Sequence, residues 1–152
     1  DYVVDLRKAP WPWADNSVEE AVASHFVEHL TAQERVTFAN ELYRVLKPGA
    51  GCQMITPHWA SYRAYGDPTH LWPPVSEMWF YYLNREWRAT QAPHTDIKNN
   101  PNGFNCHFDA QWGYNESQIP DFKVRNLEWK QFAFRHYKDA IDDIVAVLKA
   151  VK

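Results

Sequence analysis

The chain has 152 residues, 45% of them hydrophobic and 23% charged, which is enough apolar surface for one core and too little length for two comfortable domains. A balance of 16 Lys and Arg against 19 Asp and Glu leaves a net charge of −3, so there is no basic footprint for a nucleic-acid partner. Two cysteines are too few for a disulfide framework and suit a reducing, cytoplasmic setting; no signal-peptide start and no apolar run of the ~18–20 residues a bilayer needs point to a membrane.

In chain order, residues 2–6 (Tyr-Val-Val-Asp-Leu) read as a short strand ending in an acid. Pro10 and Pro12 bar a helix and predict an extended loop over residues 9–13, followed by a turn at Asp15-Asn16-Ser17. The compact run from Glu20 to His25 predicts a parallel strand. Thr31 and Glu34 form a capping-box pattern, and Phe38, Ala39, Leu42, Val45 and Leu46 make one apolar stripe, so a helix is predicted from Ala32, closed by Lys47-Pro48-Gly49. Residues 52–56 follow as the next strand, which completes an α/β pattern.

Residues 57–75 are a long loop rich in Pro, aromatic and polar residues, the kind of loop that carries function in a compact domain. Ser76 is positioned to cap a helix reaching Trp87, and residues 89–102 form an excursion ending in the Asn-Asn-Pro-Asn-Gly turn. Partial alternation over residues 104–114 and 122–134 predicts an antiparallel pair that turns near residues 117–121. From Asp139, the spacing of Ile141, Ile144, Val145, Leu148 and Val151 predicts a terminal amphipathic helix.

Three segments resemble the second half of class I S-adenosylmethionine-dependent methyltransferases. They are Asp5-Leu6 with the proline-tryptophan loop and Asp15-Asn16-Ser17, then the strand ending Ser24-His25, then Arg44-Val45-Leu46-Lys47-Pro48-Gly49. Gly66-Asp67-Pro68-Thr69-His70, followed by Phe80-Tyr81-Tyr82, is similar to a motif of a bacterial and phage branch of that family. The resemblance implies a partial Rossmann-like α/β sheet in a single domain over residues 1–152, with an antiparallel C-terminal hairpin and the terminal helix. It implies S-adenosylmethionine as cofactor, with Asp5 and Leu6 at the adenine and Ser24 and His25 near the donor methyl. Taken alone, Asp5 and Leu6 read more readily as a strand-end acid and a core leucine, and His25 reads equally well as a hydrogen-bonded strand-end histidine.

The 57–75 loop then supplies the acceptor side. His58 and His70 are the candidate catalytic bases, since imidazole titrates near neutrality. Trp59, Arg63, Tyr65, Asp67 and Trp72 are the candidate contacts to a small-molecule or glycan-like acceptor, Arg63 through its capacity to hold a carboxylate or phosphate. Equally, Asp67 can cap its own turn while the aromatic residues simply pack. The seven histidines show no HExxH or paired-cysteine spacing, so no metal is expected.

The family's glycine-rich first motif has no counterpart. Gly49-Ala50-Gly51 follows a helix, the wrong context for a turn that cradles a ligand. With Asp rather than Met at position 1, the expectation is a domain incomplete at its N-terminus, with a sheet edge and an apolar face open to self-association. The alternative to an enzyme is a non-catalytic binding or assembly module of the same fold.

Overall fold

The computed structural model describes residues 3–117 and 127–152. Its centre is a four-stranded sheet in the order β1-β2-β4-β3, formed by Val18–Ser24 (β1), Leu46–Pro57 (β2), Phe108–Glu116 (β3) and Ile141–Ala150 (β4). β1 and β2 are parallel, and β4 runs antiparallel to both β2 and β3. Helix α1 (Ala32–Val45) makes the crossover between the parallel strands, as a parallel pair requires. Short helices α2 (Arg63–Gly66), α3 (Glu77–Tyr82) and α4 (Arg85–Gln91) follow β2, and α5 (Leu127–His136) lies between β3 and β4 in sequence.

The capping box that opens α1 is complete. The Glu34 amide donates to Thr31 Oγ1 at 3.3 Å, and the Thr31 amide donates to Glu34 Oε2 at 2.8 Å. Phe38, Ala39, Leu42 and Val45 bury that helix's stripe against one face of the sheet, where Ala23, Cys52, Met54, Ala146 and Leu148 meet them. α1 stops at Val45, and β2 begins at the very next residue instead of after the Lys-Pro-Gly signal. Pro48 lies opposite the register break between Val18 and Glu20, where its missing N–H disrupts no ladder that was continuous. Gly49 takes φ 76°, the left-handed region where a side chain is strained.

The other face of the sheet is half-buried or buried at Ile55, Pro57, Asp143 and Val145 and open along one row. Val22 pairs with Gln53, Gln53 with Val147, and Val147 with Gln111, a row across all four strands. Val22 is 65% exposed and Val147 52%. The outer edge of β1 is likewise unpaired among the described residues.

Four expectations need correction. The predicted terminal helix is β4: its β-branched residues favour a pleated strand, and Ile144, Ala146, Leu148 and Ala150 alternate into the core. An antiparallel C-terminal pair does form, but β3 pairs with β4, while residues 127–134 of the expected partner strand lie in helix α5; the turn placed near residues 117–121 falls largely outside the described residues. No strand forms over the described part of residues 2–6. The helix expected to run from Ser76 to Trp87 breaks at Leu83, because Asn84 accepts the Trp87 amide at 3.0 Å and caps a second helix.

Candidate functional site

Because β1 and β2 are parallel, the segments leaving them, residues 25–30 and 58–76, emerge at the same end of the sheet, where ligands bind in open α/β folds. Arg35, only 4% exposed, fastens them together. Its guanidinium donates to the carbonyls of Val27 at 2.9 Å, Pro73 at 2.6 Å and Leu71 at 3.3 Å. The Leu71 amide donates in turn to the Glu28 carbonyl at 2.8 Å.

Between the two segments lies a cleft of about 730 Å³, lined among others by His25, Glu28, His29, Arg63, Asp67 and His70. A second, apolar hollow of about 490 Å³ flanks β1 and is lined in part by Leu6, Trp13, Ala21, Ser24 and Phe38. The division falls at the Ser24–His25 junction, with Ser24 in the hollow and His25 in the cleft. His25 holds a left-handed backbone, φ 49°, and its amide donates to the Ile55 carbonyl at 2.8 Å. Such strain in a residue that carries a side chain is characteristic of functional sites.

Glu28 is buried, 3% exposed, at the floor of the cleft. Its Oε2 accepts from Thr56 Oγ1 at 3.2 Å, and its Oε1 faces His25 Nδ1 at 3.1 Å. A buried carboxylate on Nδ1 holds the imidazole as the Nδ1–H tautomer and leaves Nε2 with its lone pair.

The expected acceptor residues divide. Arg63, Asp67 and His70 line the cleft. Arg63 is already neutralised by Asp143 at 2.9 Å, and Asp67 Oδ1 accepts from the amide and hydroxyl of Thr69 at 2.8 and 2.6 Å. Those bonds from Thr69, chiefly the one from its hydroxyl, hold the Asp67 carboxyl below its ordinary range. Trp59, Tyr65 and Trp72 are exposed and do not line the cleft, and Trp72 is 78% exposed.

His58 is buried elsewhere, with both nitrogens committed. Nδ1 accepts from the Ala60 amide at 3.2 Å, and Nε2 faces Glu77 Oε1 at 3.0 Å. Asp5 is surface-exposed beside Arg7, whose Nε stands 2.8 Å from Oδ1. Arg7's hydrogen bond holds the Asp5 carboxyl at about 2, so it is ionised at every physiological pH. Burial pushes the thiols of Cys52 and Cys106 up to about 12, which removes both as nucleophiles. Sequence reasoning assigned no part to Thr56 or Asp143. Each is an ordinary residue of a strand end until the sheet brings the loops to it.

Residues 2–52 match the family model described as a methyltransferase domain, about a third of the chain. Among solved structures, an S-adenosylmethionine-dependent methyltransferase from Archaeoglobus fulgidus superimposes with a TM-score of 0.60 at 17% identity, covering 90% of this chain and 61% of its own. One from Methanosarcina mazei gives a TM-score of 0.54 at 15% identity, covering 99% of this chain and 66% of its own. This is a methyltransferase fold. The chain spans about three fifths to two thirds of those methyltransferases. No curated protein matches it in sequence. Among the described residues, no helix of the methyltransferase-like chain is long and apolar enough to cross a membrane.

Proposed function

We propose that this protein transfers the methyl group of S-adenosylmethionine to a small-molecule acceptor bound in the cleft between residues 25–30 and 58–76. The observation that carries the reading is the methyltransferase-domain match over residues 2–52, which ends inside β2 and includes the whole of β1 with Ser24 and His25 at its carboxyl end. The geometry supports it. Leu6 and Ser24 line one hollow, the acceptor candidates line the other, and the strand end lies between them. Ionised Asp5 stands next to Leu6, suited to accept from the amino group of an adenine ring.

Methyl transfer is an in-line displacement. The acceptor atom forms a bond to the methyl carbon, the sulfonium carbon–sulfur bond breaks, and the acceptor's proton leaves to a base. Positioning of the two reactants supplies most of the acceleration. Of the histidines, His25 is best placed to take the proton. Its Nδ1 is held by Glu28, its side chain is 39% exposed and lines the cleft, and its Nε2 is free of the bonds that engage His58.

The test is calorimetric titration of the full gene product with S-adenosylhomocysteine. Binding is expected, and Asp5→Ala should weaken it by about 1–3 kcal/mol, the range for a lost hydrogen bond to a charged group. Absence of binding to the full gene product overturns the reading and leaves a non-catalytic module of the same fold.

A further inference from the structure

Glu28, His29 and His70 bring one ligand atom each to within 4.8 Å of one another. We propose that they form a divalent transition-metal site of the zinc type, with three protein ligands and an open position facing the cleft. The inference stands independently of methyl transfer.

The argument rests on how the donors are held. His29 Nδ1 faces the Thr69 carbonyl at 3.3 Å and Thr69 Oγ1 at 3.1 Å. His70 Nδ1 faces the Ala64 carbonyl at 3.3 Å. A nitrogen that faces a carbonyl carries the proton, so in both rings Nε2 is the nitrogen with the lone pair. Metal-binding histidines are oriented in this way, the far nitrogen donating to a backbone carbonyl or carboxylate. The rings meet edge to face with centroids 4.8 Å apart.

The third ligand, Glu28, is buried and itself oriented by Thr56 Oγ1 at 3.2 Å. Asp67 stays outside the ligand set: its Oδ1 is fixed by Thr69, and its Oδ2 stands 3.8 Å from His70 Nε2 at the edge of the cluster. Zinc–nitrogen bonds of about 2.0–2.1 Å put tetrahedral ligand atoms about 3.4 Å apart. Ligand atoms within 4.8 Å of one another are about 1.4 Å or less from that spacing. Two imidazoles and a carboxylate favour zinc and its first-row neighbours over magnesium or calcium, which take all-oxygen shells.

A structural hydrogen-bond network explains less. Such a network would use both nitrogens of each histidine, as His58 does. Here three groups from two different loops bring one ligand atom each to within 4.8 Å of one another, and each Glu28 oxygen keeps a lone pair beyond its bond to His25 or Thr56.

The purified protein, stripped with a chelator and dialysed, is titrated with Co²⁺ followed by its visible absorption, and with Zn²⁺ followed by calorimetry. One equivalent per chain with micromolar or tighter affinity is expected. His29→Ala and His70→Ala should each weaken it at least tenfold, while exposed His94→Ala leaves it unchanged. Glu28→Gln keeps the buried volume, and circular dichroism shows whether each variant folds; a folded Glu28→Gln should also lose at least tenfold. The proposal is overturned if no metal binds, or if binding persists undiminished in folded His29→Ala and His70→Ala. Either result leaves the titration with S-adenosylhomocysteine untouched.

Discussion

His58 donates from Nε2 to Glu77 Oε1 across 3.0 Å, tying the segment that leaves β2 to the first turn of α3. The Tyr114 hydroxyl donates to the same oxygen at 2.9 Å from β3. Burial on its own would raise the Glu77 carboxyl, but these bonds outweigh it and hold the group at about 2. The folded value therefore lies below the ordinary 4.5, so the stabilisation is whole above pH 4.5 and drains away as pH falls toward about 2. Urea midpoints measured across that window should decline with acid. In Glu77→Gln the decline should be shallower, and stability at pH 7 should be lower by about 1–3 kcal/mol.

Arg35 is the clamp between the two loops that frame the cleft. Arg35→Met keeps the buried stem and removes the guanidinium donors to the carbonyls of Leu71 and Pro73, and to that of Val27, which keeps the Leu30 amide at 3.2 Å. Unpaired carbonyls in a buried setting cost about 1–3 kcal/mol each unless water reaches them. A loss of about 2–4 kcal/mol in denaturant unfolding is expected, with faster amide exchange at Leu71. Unchanged exchange there would mean that the loops hold together without the guanidinium.

Leu148 is 1% exposed in the middle of β4 and pairs with Cys52 and Ala110 in the register. Leu148→Ala should cost about 2–5 kcal/mol, the range for truncating a buried leucine. Leu148→Asp should leave an unpaired charge in the core and abolish the folded state, visible as lost near-ultraviolet dichroism. A folded aspartate variant would contradict the strand assignment.

The open row of Val22 and Val147, beside a β1 edge that is unpaired among the described residues, offers a second copy of the chain both apolar area and backbone donors. Concentration-dependent association is expected by light scattering at tens of micromolar. Val22→Lys, placed on the edge strand, should suppress it. A monodisperse monomer across that range would exclude the association.

The parallel core of the fold was legible because its signals are local. The capping box, the stripe of α1 and the apolar strand before it each declare themselves within a dozen residues, and the structure keeps all three. β4 was not legible in the same way. A strand covered on one face, with half-buried Val145 on the other, carries apolar residues at spacings that also fit a helix, and only its neighbours decide between them. The cleft was partly legible: Arg63, Asp67, His70 and His25 were singled out and converge. The pairing of His29 with His70 was not legible, because His70 comes from a loop tied down by Arg35, a relation that no spacing rule contains. His58 shows the reverse case, a histidine suited to chemistry by type and placed in a hydrogen-bond network by packing.

The strand order carries a consequence for how the chain assembles during synthesis. Of the four described strands β4 is the last to be made, yet it occupies the slot between β2 and β3 and supplies every sheet bond that β3 has among the described residues. Until residues 141–150 leave the ribosome, β3 has no template, and the inner edge of β2 stays open for as long as the intervening segments take to be translated. At about 5–20 residues per second, the ~80 residues between β2 and β4 leave that edge unpaired for about 4–16 s. A nascent chain stalled before Ile141 should thus hold only the β1-α1-β2 unit, with the order of translation keeping the rest of the sheet waiting for its centre.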